Sequence, residues 1–382
     1  MSSNSVRKRL SVASFISQFS ISMVNFALVY FLKEKGFSSS EIGLSASIYP
    51  MMYLIFCIAF PKVIRRHSLK KEIATSYLGM LISVVLVIMS PNKALTYFSL
   101  CIYGISMALL WPNMETWITA GAEGNELNKA VSSFNFAWSS GAGVSTLLGG
   151  VLSERSSSLP LYIAIAFFIA LVVCILTTKD RDSSKAEEEE IVDHSTPLRY
   201  FAWIVVLILY AGYSMIINIY PLFALDVLGF SESLTGTLLL FRGMTACIAF
   251  VLIGKTSRWQ FSAPTIVISQ MVYIALVAAM GFISTPVAYA VFFVIFGLDF
   301  SLVYMLSIFH GAAGAANREK RMMIHEVLLT VGTVAGSLFG GILYELYSFQ
   351  TILNAILIAS SAALIVELPL MKKTGCFNNK SK

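Results

Sequence analysis

The chain has 382 residues, of which 57% are hydrophobic and only 13% charged, with a formal net charge of +6 and a mean hydropathy of +0.77. A soluble domain covers its core with about a quarter charged residues, so the composition excludes that class and leaves an integral membrane protein. Apolar runs of about 20 residues recur throughout; they fit membrane helices and exclude a barrel, whose strands need about ten alternating residues.

In chain order, twelve spans are expected at 10–32, 42–61, 73–90, 94–118, 130–152, 160–178, 201–225, 234–254, 264–282, 287–312, 323–344 and 350–371. Arg7, Lys8 and Arg9 precede the first span as in a signal peptide. That span is longer than an h-region and no small-residue cleavage site follows, so it reads as a retained helix. Breakers such as Ser90-Pro91-Asn92 and Ser284-Thr285-Pro286 fill the connections. The long polar segment KDRDSSKAEEEEIVDHSTP (179–197) separates six spans from six and reads as a solvated linker, with a metal or partner site at Glu187–Glu190 as the alternative.

Basic residues set the orientation. With both termini cytoplasmic, the inner segments hold 22 of the 27 Lys and Arg; the outer loops hold Lys33, Lys35, Lys93 and Arg155, and Arg242 falls inside a span. The positive charge therefore reports topology and contact with anionic lipid headgroups, not nucleic acid. The five cysteines are scattered, without disulfide or metal-ligand spacing.

The two sets of six spans resemble each other. KGFSSSEIG (35–43) and LGFSESLTG (228–236) are offset by 193 residues, TLLGGVL (146–152) and SLFGGIL (337–343) by 191, and the first alignment sets Asn25 opposite Asn218. Related halves with a substrate site between them are one plan of secondary transporters. With twelve spans, two related halves, a central linker and the GFSSSEIG loop, the whole chain resembles the major facilitator superfamily. The family signature after the second helix, Gly-x-x-x-Asp-Arg-x-Gly-x-Arg/Lys-Arg/Lys, appears as PKVIRRHSLKK (61–71). Arg66, Lys70 and Lys71 match, Pro61 and Ser68 replace glycines, and Arg65 takes the acidic position. Arg65, Arg66 and Lys70 are expected to form a gating loop or a basic topology anchor. Positions 145–150 (STLLGG) lack the proline of the family's antiporter motif, and Gly332, Gly336 and Gly340 are expected to bring the halves into close contact.

The resemblance implies an all-α membrane protein of twelve transmembrane helices in two pseudo-symmetric six-helix halves: 1–178, a cytoplasmic linker 179–198, and 199–382 with a short cytoplasmic tail. It also places helices one, four, seven and ten around a central cavity. Buried polar side chains in a membrane face the bundle or a watery cavity, so Ser11, Ser14, Gln18 and Asn25 on helix one and Tyr210, Ser214 and Asn218 on helix seven are expected to line it or to bond neighbouring helices. Trp111, Trp138 and Tyr213 would add ring surface for the solute. Pro112 distorts helix four; Glu115 lies toward the cytoplasmic end of that helix and is a candidate for gating or proton coupling. Glu326 is read as a carboxylate favoured at a helix N-terminus, and Glu367 carries no expected role. Arg242, permanently charged and too deep to reach the headgroups, is expected to pair with Asp299, with a solute carboxylate as the alternative partner. Asp299 is also the candidate proton-coupling group, and together with Arg242 completes the expected substrate-binding set.

The expected function is secondary transport of a small organic solute by alternating access in a bacterial-type inner membrane, coupled to protons. A facilitative uniporter and a non-transporting solute sensor are the alternatives. No Walker loop or His-Glu-x-x-His motif is present, and Asp299 is the one Asp well inside a span, so the chain does not read as an ATPase or a membrane enzyme. No cofactor, metal or nucleic-acid partner is expected; the partners are the solute, protons and the lipid bilayer, and the chain is expected to act as a monomer.

Overall fold

The repeated GFS loop shows how this chain turns between helices. In a computed structural model that describes residues 3–60, 68–119, 124–178, 196–314 and 318–377, the first helix ends at Gly36, whose φ of +77° is a left-handed conformation open to glycine. The amide of Phe37 bonds Leu32 O and that of Gly36 bonds Lys33 O, which satisfies the last carbonyls of the helix. Phe37 is buried, and Ser38 then caps the second helix in a capping box with Glu41. The second copy repeats the device with Gly229 at φ +67°, buried Phe230, and Ser231 accepting from Leu234 N.

Among the described residues the structure is twelve α-helices and no strand: α1 Ser3–Glu34, α2 Ser39–Ala59, α3 Leu69–Met89, α4 Lys93–Thr119, α5 Gly124–Arg155, α6 Leu159–Thr177, α7 Leu198–Asp226, α8 Glu232–Gly254, α9 Ala263–Met280, α10 Pro286–Ala312, α11 Arg318–Leu346 and α12 Phe349–Lys373. Eleven are long and apolar enough to cross a membrane. The remaining helix, α5, runs through SSFNFAWSSGAGVSTLLGG, where small and weakly polar residues favour close helix packing over lipid contact. α4 continues through Pro112, with the Asn113 side-chain amide bonding Leu109 O in the interrupted turn.

Each half packs its own core, one from α1–α6 and one from α7–α12. The cores trade residues through the first helix of each half: Phe26 and Tyr30 of α1 join the second core and Leu222 of α7 the first. The start of α1 and the end of α12 mark the termini face of the bundle; the α1–α2 turn marks the far face.

The halves meet through the repeated glycine motifs, cross-matched. Gly341 of α11 lies against Gly43 and Ser39 of α2, and Gly150 of α5 lies against Gly236 and Glu232 of α8. The preceding glycines face inward in their own halves, Gly149 on Phe26 of α1 and Gly340 on Met215 of α7. Gly332 and Gly336 likewise pack α11 on α7, against Leu207, Tyr210 and Ala211. The expectation that the Gly332–Gly336–Gly340 stripe joins the halves is therefore corrected. The stripe lies one helix face away from the inter-half contact, which Gly341 makes.

Polar contacts close the far face. Lys33 pairs with Asp226, Lys93 Nζ bonds Glu41 at 2.6 Å, Ser40 N donates to Glu345 Oε2 at 2.7 Å, and Ser47 Oγ donates to Val334 O at 3.0 Å. Deeper along the same interface, Gly143 of α5 touches Gly243 of α8.

Candidate functional site

Toward the termini face the walls between the halves carry rings and charge. Arg242 sits mid-way along α8, about 15 Å from its far end. Its guanidinium lies over the ring of Tyr213 at 5.0 Å and over Phe300 at 5.7 Å. Tyr213 is in turn tilted against Phe300, with centroids 5.0 Å apart, and interacts electrostatically with Tyr49 of α2 in the other half. One turn nearer the termini, Tyr210 meets Tyr304 at 6.4 Å, and Tyr304 meets Phe300 at 6.4 Å. These tyrosines and Arg242 are only half-buried although protein surrounds them, so they line a cavity between the halves.

Two carboxylates stand nearer the termini face. Glu326 lies eight residues inside α11, about 12 Å from its start. It is exposed, and its electrostatic neighbours are Glu115 of α4, Tyr53 and Cys57 of α2, Tyr210 and Tyr304. Glu115 is exposed as well. One acid from each half thus faces a shared crevice toward the termini face, while polar contacts close the far face.

This arrangement revises the expected site. Glu326 belongs to the cavity; the helix starts at Arg318, more than two turns before it, so the N-terminal dipole is not what places the carboxylate there. The expected Arg242–Asp299 pair is not present among the described residues. Gly297 brings α10 against the backbone of Arg242, from where Phe300 points into the cavity. Asp299 points away from it, buried and interacting with Tyr273 of α9. A turn of about 100° per residue separates the two directions. Arg242 is held by ring faces in place of a carboxylate, and its Nε has no hydrogen-bond partner.

Trp111 lies on α4 with its ring 6.3 Å from Phe134, and Trp138 is exposed on α5. Asn25 and Asn218 do share a cavity, with Leu28, Val29, Leu32, Ile42, Ala46 and Tyr49, but it is a small one under the far-face seal with room for about one water. There the Asn218 amide donates to Ser337 Oγ of α11 at 2.7 Å; Gln18, two turns before Asn25 on α1, donates to Ser22 at 2.8 Å. The α1 polar stripe does not stay on one surface: Ser14 bonds Leu10 O, and Ser11 reaches Ser133 of α5 at 3.0 Å. Lys70 lies in the first turn of α3, where Ser68 caps the helix; Arg65, Arg66 and residues 179–195 of the linker lie outside the described residues.

Residues 10–316 match the family model described as Major Facilitator Superfamily. The chain belongs to that superfamily. Two relatives from Bacillus subtilis (strain 168) are similar over 352 residues: Multidrug resistance protein 1, 23% identical, covering 87% of this chain and 89% of its own, and Multidrug resistance protein 2, 22% identical, covering 87% of each. Among solved structures, the nucleoside transporter NupG superposes with a TM-score of 0.75 at 15% identity, over 99% of this chain and 100% of its own. A bacterial homolog to the human lysosomal transporter Spinster, described as inward-facing and unoccupied, gives 0.72 at 13% identity over 98% and 96%. Family and fold are those of major facilitator superfamily membrane transporters, not of enzymes.

Proposed function

We propose that this transporter exchanges a ring-bearing organic cation for protons by alternating access, in a cytoplasmic (inner) membrane with both termini in the cytoplasm. The observation that carries the reading is the facing of Glu115 and Glu326, one from each half, in an aromatic crevice. Two carboxylates in mutual repulsion are relieved either by a proton or by a cationic group. Proton and cation therefore compete for one site, which is the physical requirement for exchanging them. Tyr53, Tyr210 and Tyr304 supply ring faces for the same cation, and Trp111 and Trp138 are proposed to contact the solute as the halves rock. Asn25, Asn218 and Gln18 are proposed to meet it once the far face opens. The relatives' printed name, multidrug resistance protein, supports a cavity that accepts apolar ring systems. The cavity is complete within one chain, which supports a monomer as the working unit.

A second reading has its own observation. Arg242 Nε lacks an acceptor, so an aromatic carboxylate is an alternative solute. Proteoliposomes loaded at low pH and assayed with ethidium, tetraphenylphosphonium or fluorescein separate the two. The expected result is pH-gradient-driven movement of the two cations that is lost in Glu115→Gln and Glu326→Gln. Movement of fluorescein alone, lost in Arg242→Leu, would replace the cation reading; movement indifferent to all three residues would sink both.

A further inference from the structure

The space between the halves carries charge of opposite sign at two depths. Arg242 marks the deeper level, mid-way along α8, and Glu326 of α11 marks the level nearer the termini face. The register of α11 on α7 gives their separation. Gly332 packs on Leu207 and Tyr210, and Glu326 stands six residues, about 9 Å, nearer the termini. The guanidinium lies over Tyr213, three residues or about 4.5 Å beyond Tyr210. The two charges are therefore about 13 Å apart in depth.

Rings line the interval. The guanidinium is 5.7 Å from the Phe300 ring, Tyr210 is 5.4 Å from Phe300, and Tyr304 is 6.4 Å from both. Tyr210 interacts electrostatically with Arg242 and with Glu326, so one phenol stands within reach of both charges. Neither charge is neutralised by a protein group. Among the described residues no carboxylate pairs with Arg242, and its Nε has no hydrogen-bond partner. Ring faces attract a guanidinium but accept none of its five N–H donors in the way an oxygen does. The electrostatic neighbours of Glu326 are Glu115, tyrosines and Cys57, with no cation among them. A solute cation at Glu326 feels repulsion from Arg242. At about 13 Å and an effective dielectric constant near 20, that repulsion lowers its affinity about tenfold. A solute carboxylate at Arg242 removes this penalty and adds a charge-assisted hydrogen bond.

The geometry points to an aromatic zwitterion as the preferred solute: an elongated ring system with a cationic group at one end, held by Glu326 with Glu115, and a carboxylate at the other, held by Arg242. The ring body lies against Phe300, Tyr210 and Tyr304. This inference rests on the cation reading and adds an acidic end to the solute. It also gives Arg242 a selective role. A cation lacking the acid is disfavoured by the guanidinium, and an anion lacking the cationic end is disfavoured by the two glutamates.

The test measures equilibrium binding to the purified full chain in lipid nanodiscs at neutral pH, with three probes built on one rigid two-ring body. N-methyl-para-carboxystyrylpyridinium is the zwitterion, its methyl ester is a cation alone, and stilbene-para-carboxylate is an anion alone. The zwitterion should bind about tenfold or more tighter than the ester. Arg242→Leu should weaken the zwitterion and strengthen the ester, inverting their order, an outcome that misfolding cannot produce. Arg242→Lys should keep the original order, and Glu326→Gln should weaken both cationic probes. Equal binding of zwitterion and ester, with Arg242→Leu moving both alike, would overturn the zwitterion. The cation reading would survive that result provided Glu326→Gln still weakens both probes. Tightest binding by stilbene-para-carboxylate, indifferent to Glu326→Gln, would overturn the two together.

Discussion

Gly341→Ala tests whether the crossed glycines hold the far face shut. A Cβ at Gly341 would stand 2.5 Å from Ser39 O, 3.0 Å from Gly43 Cα and 3.1 Å from Ser40 Cα, all backbone atoms that cannot swing aside. Ordinary contact is about 3.5–4.0 Å, so α2 and α11 must part by about 1 Å. That movement stretches the Ser40 N bond to Glu345 Oε2, now 2.7 Å, and the Ser47 Oγ bond to Val334 O, now 3.0 Å. The first is charge-assisted and contributes about 1.5–3 kcal/mol; the second contributes about 1 kcal/mol. The helix-propensity gain of alanine applies equally with the far face open or shut, so it cancels in that equilibrium. The far-closed state should lose about 2–4 kcal/mol, a shift of about 30- to 1000-fold. The assay is the labelling rate of Ala46→Cys, under the seal, by a membrane-impermeant maleimide in a background without Cys57, Cys101, Cys174, Cys247 and Cys376. A rise of at least about tenfold is expected, with Gly254→Ala, which has nothing within 4 Å of the added carbon, as the silent control. Gly43→Ala should act alike, and the double variant should fall short of the sum because both carbons enter one crossing. An unchanged labelling rate in well-folded Gly341→Ala would show that this contact does not hold the gate.

Arg242→Leu and Asp299→Asn should be additive in the thermal stability of the purified protein, with a coupling under about 0.5 kcal/mol; a coupling near the 3–5 kcal/mol of a broken buried pair would restore the ion pair. Lys33→Asp and Asp226→Lys should each loosen the far face by about 0.2–1 kcal/mol, read as maleimide labelling of Ala46→Cys. The double reversal should recover the seal, and the effect should fade at high salt. Cysteines at Ser184 and Ser156 should label from opposite sides of the membrane; same-side labelling would overturn the assigned topology. Asn218→Leu should lower stability by about 1 kcal/mol through the lost bond to Ser337, whereas Asn25→Leu should weaken binding of the transported probe with stability unchanged; the reverse pattern would exchange their roles.

The helices and their order were legible because lipid imposes length: each span must satisfy its backbone internally and cross a layer of fixed thickness. The repeats were legible for a related reason, since the GFS turn demands a left-handed glycine, a buried ring and a capping serine in that order. Side-chain direction was less legible. Arg242 and Asp299 stand at similar depth, and sequence depth alone makes them partners; the crossing at Gly297 turns Phe300 into the cavity and Asp299 behind it. Glu326 was missed because α11 begins five residues before the expected span at 323, so an apparent end position is an interior one. Spacing to Glu115 in the other half exists only after the halves are assembled. Ser360 and Glu367, seven residues apart on α12, carried a readable signal, two polar groups on one helix face, but the Gln270 amide that bonds Glu367 lies 97 residues away in the chain.

The contacts between the halves also explain where the repeats stay alike and where they diverge. Glycines at equivalent positions meet different partners, Gly43 with Gly341 and Gly236 with Gly150, so both copies can keep the same residue. Residues beside the pseudo-twofold axis meet their own equivalents. Lys33 and Asp226 are 193 residues apart, the repeat offset, and they pair with each other. Two lysines there would repel, as would two aspartates, so a seal across the axis requires the copies to differ in sign. Asn25 and Asn218, at the same offset, line one pocket and can stay identical because an amide both donates and accepts. Self-contact across the axis therefore selects opposite charges or self-complementary amides, while crossed contact permits identity. The same logic leaves Glu115 and Glu326 as an exception: they face across the halves with like charge, at unrelated positions in the repeats. In the proposed exchange, two like charges brought together repel, and a proton or a cation between them relieves the repulsion. That dependence is what a gate coupled to its cargo requires.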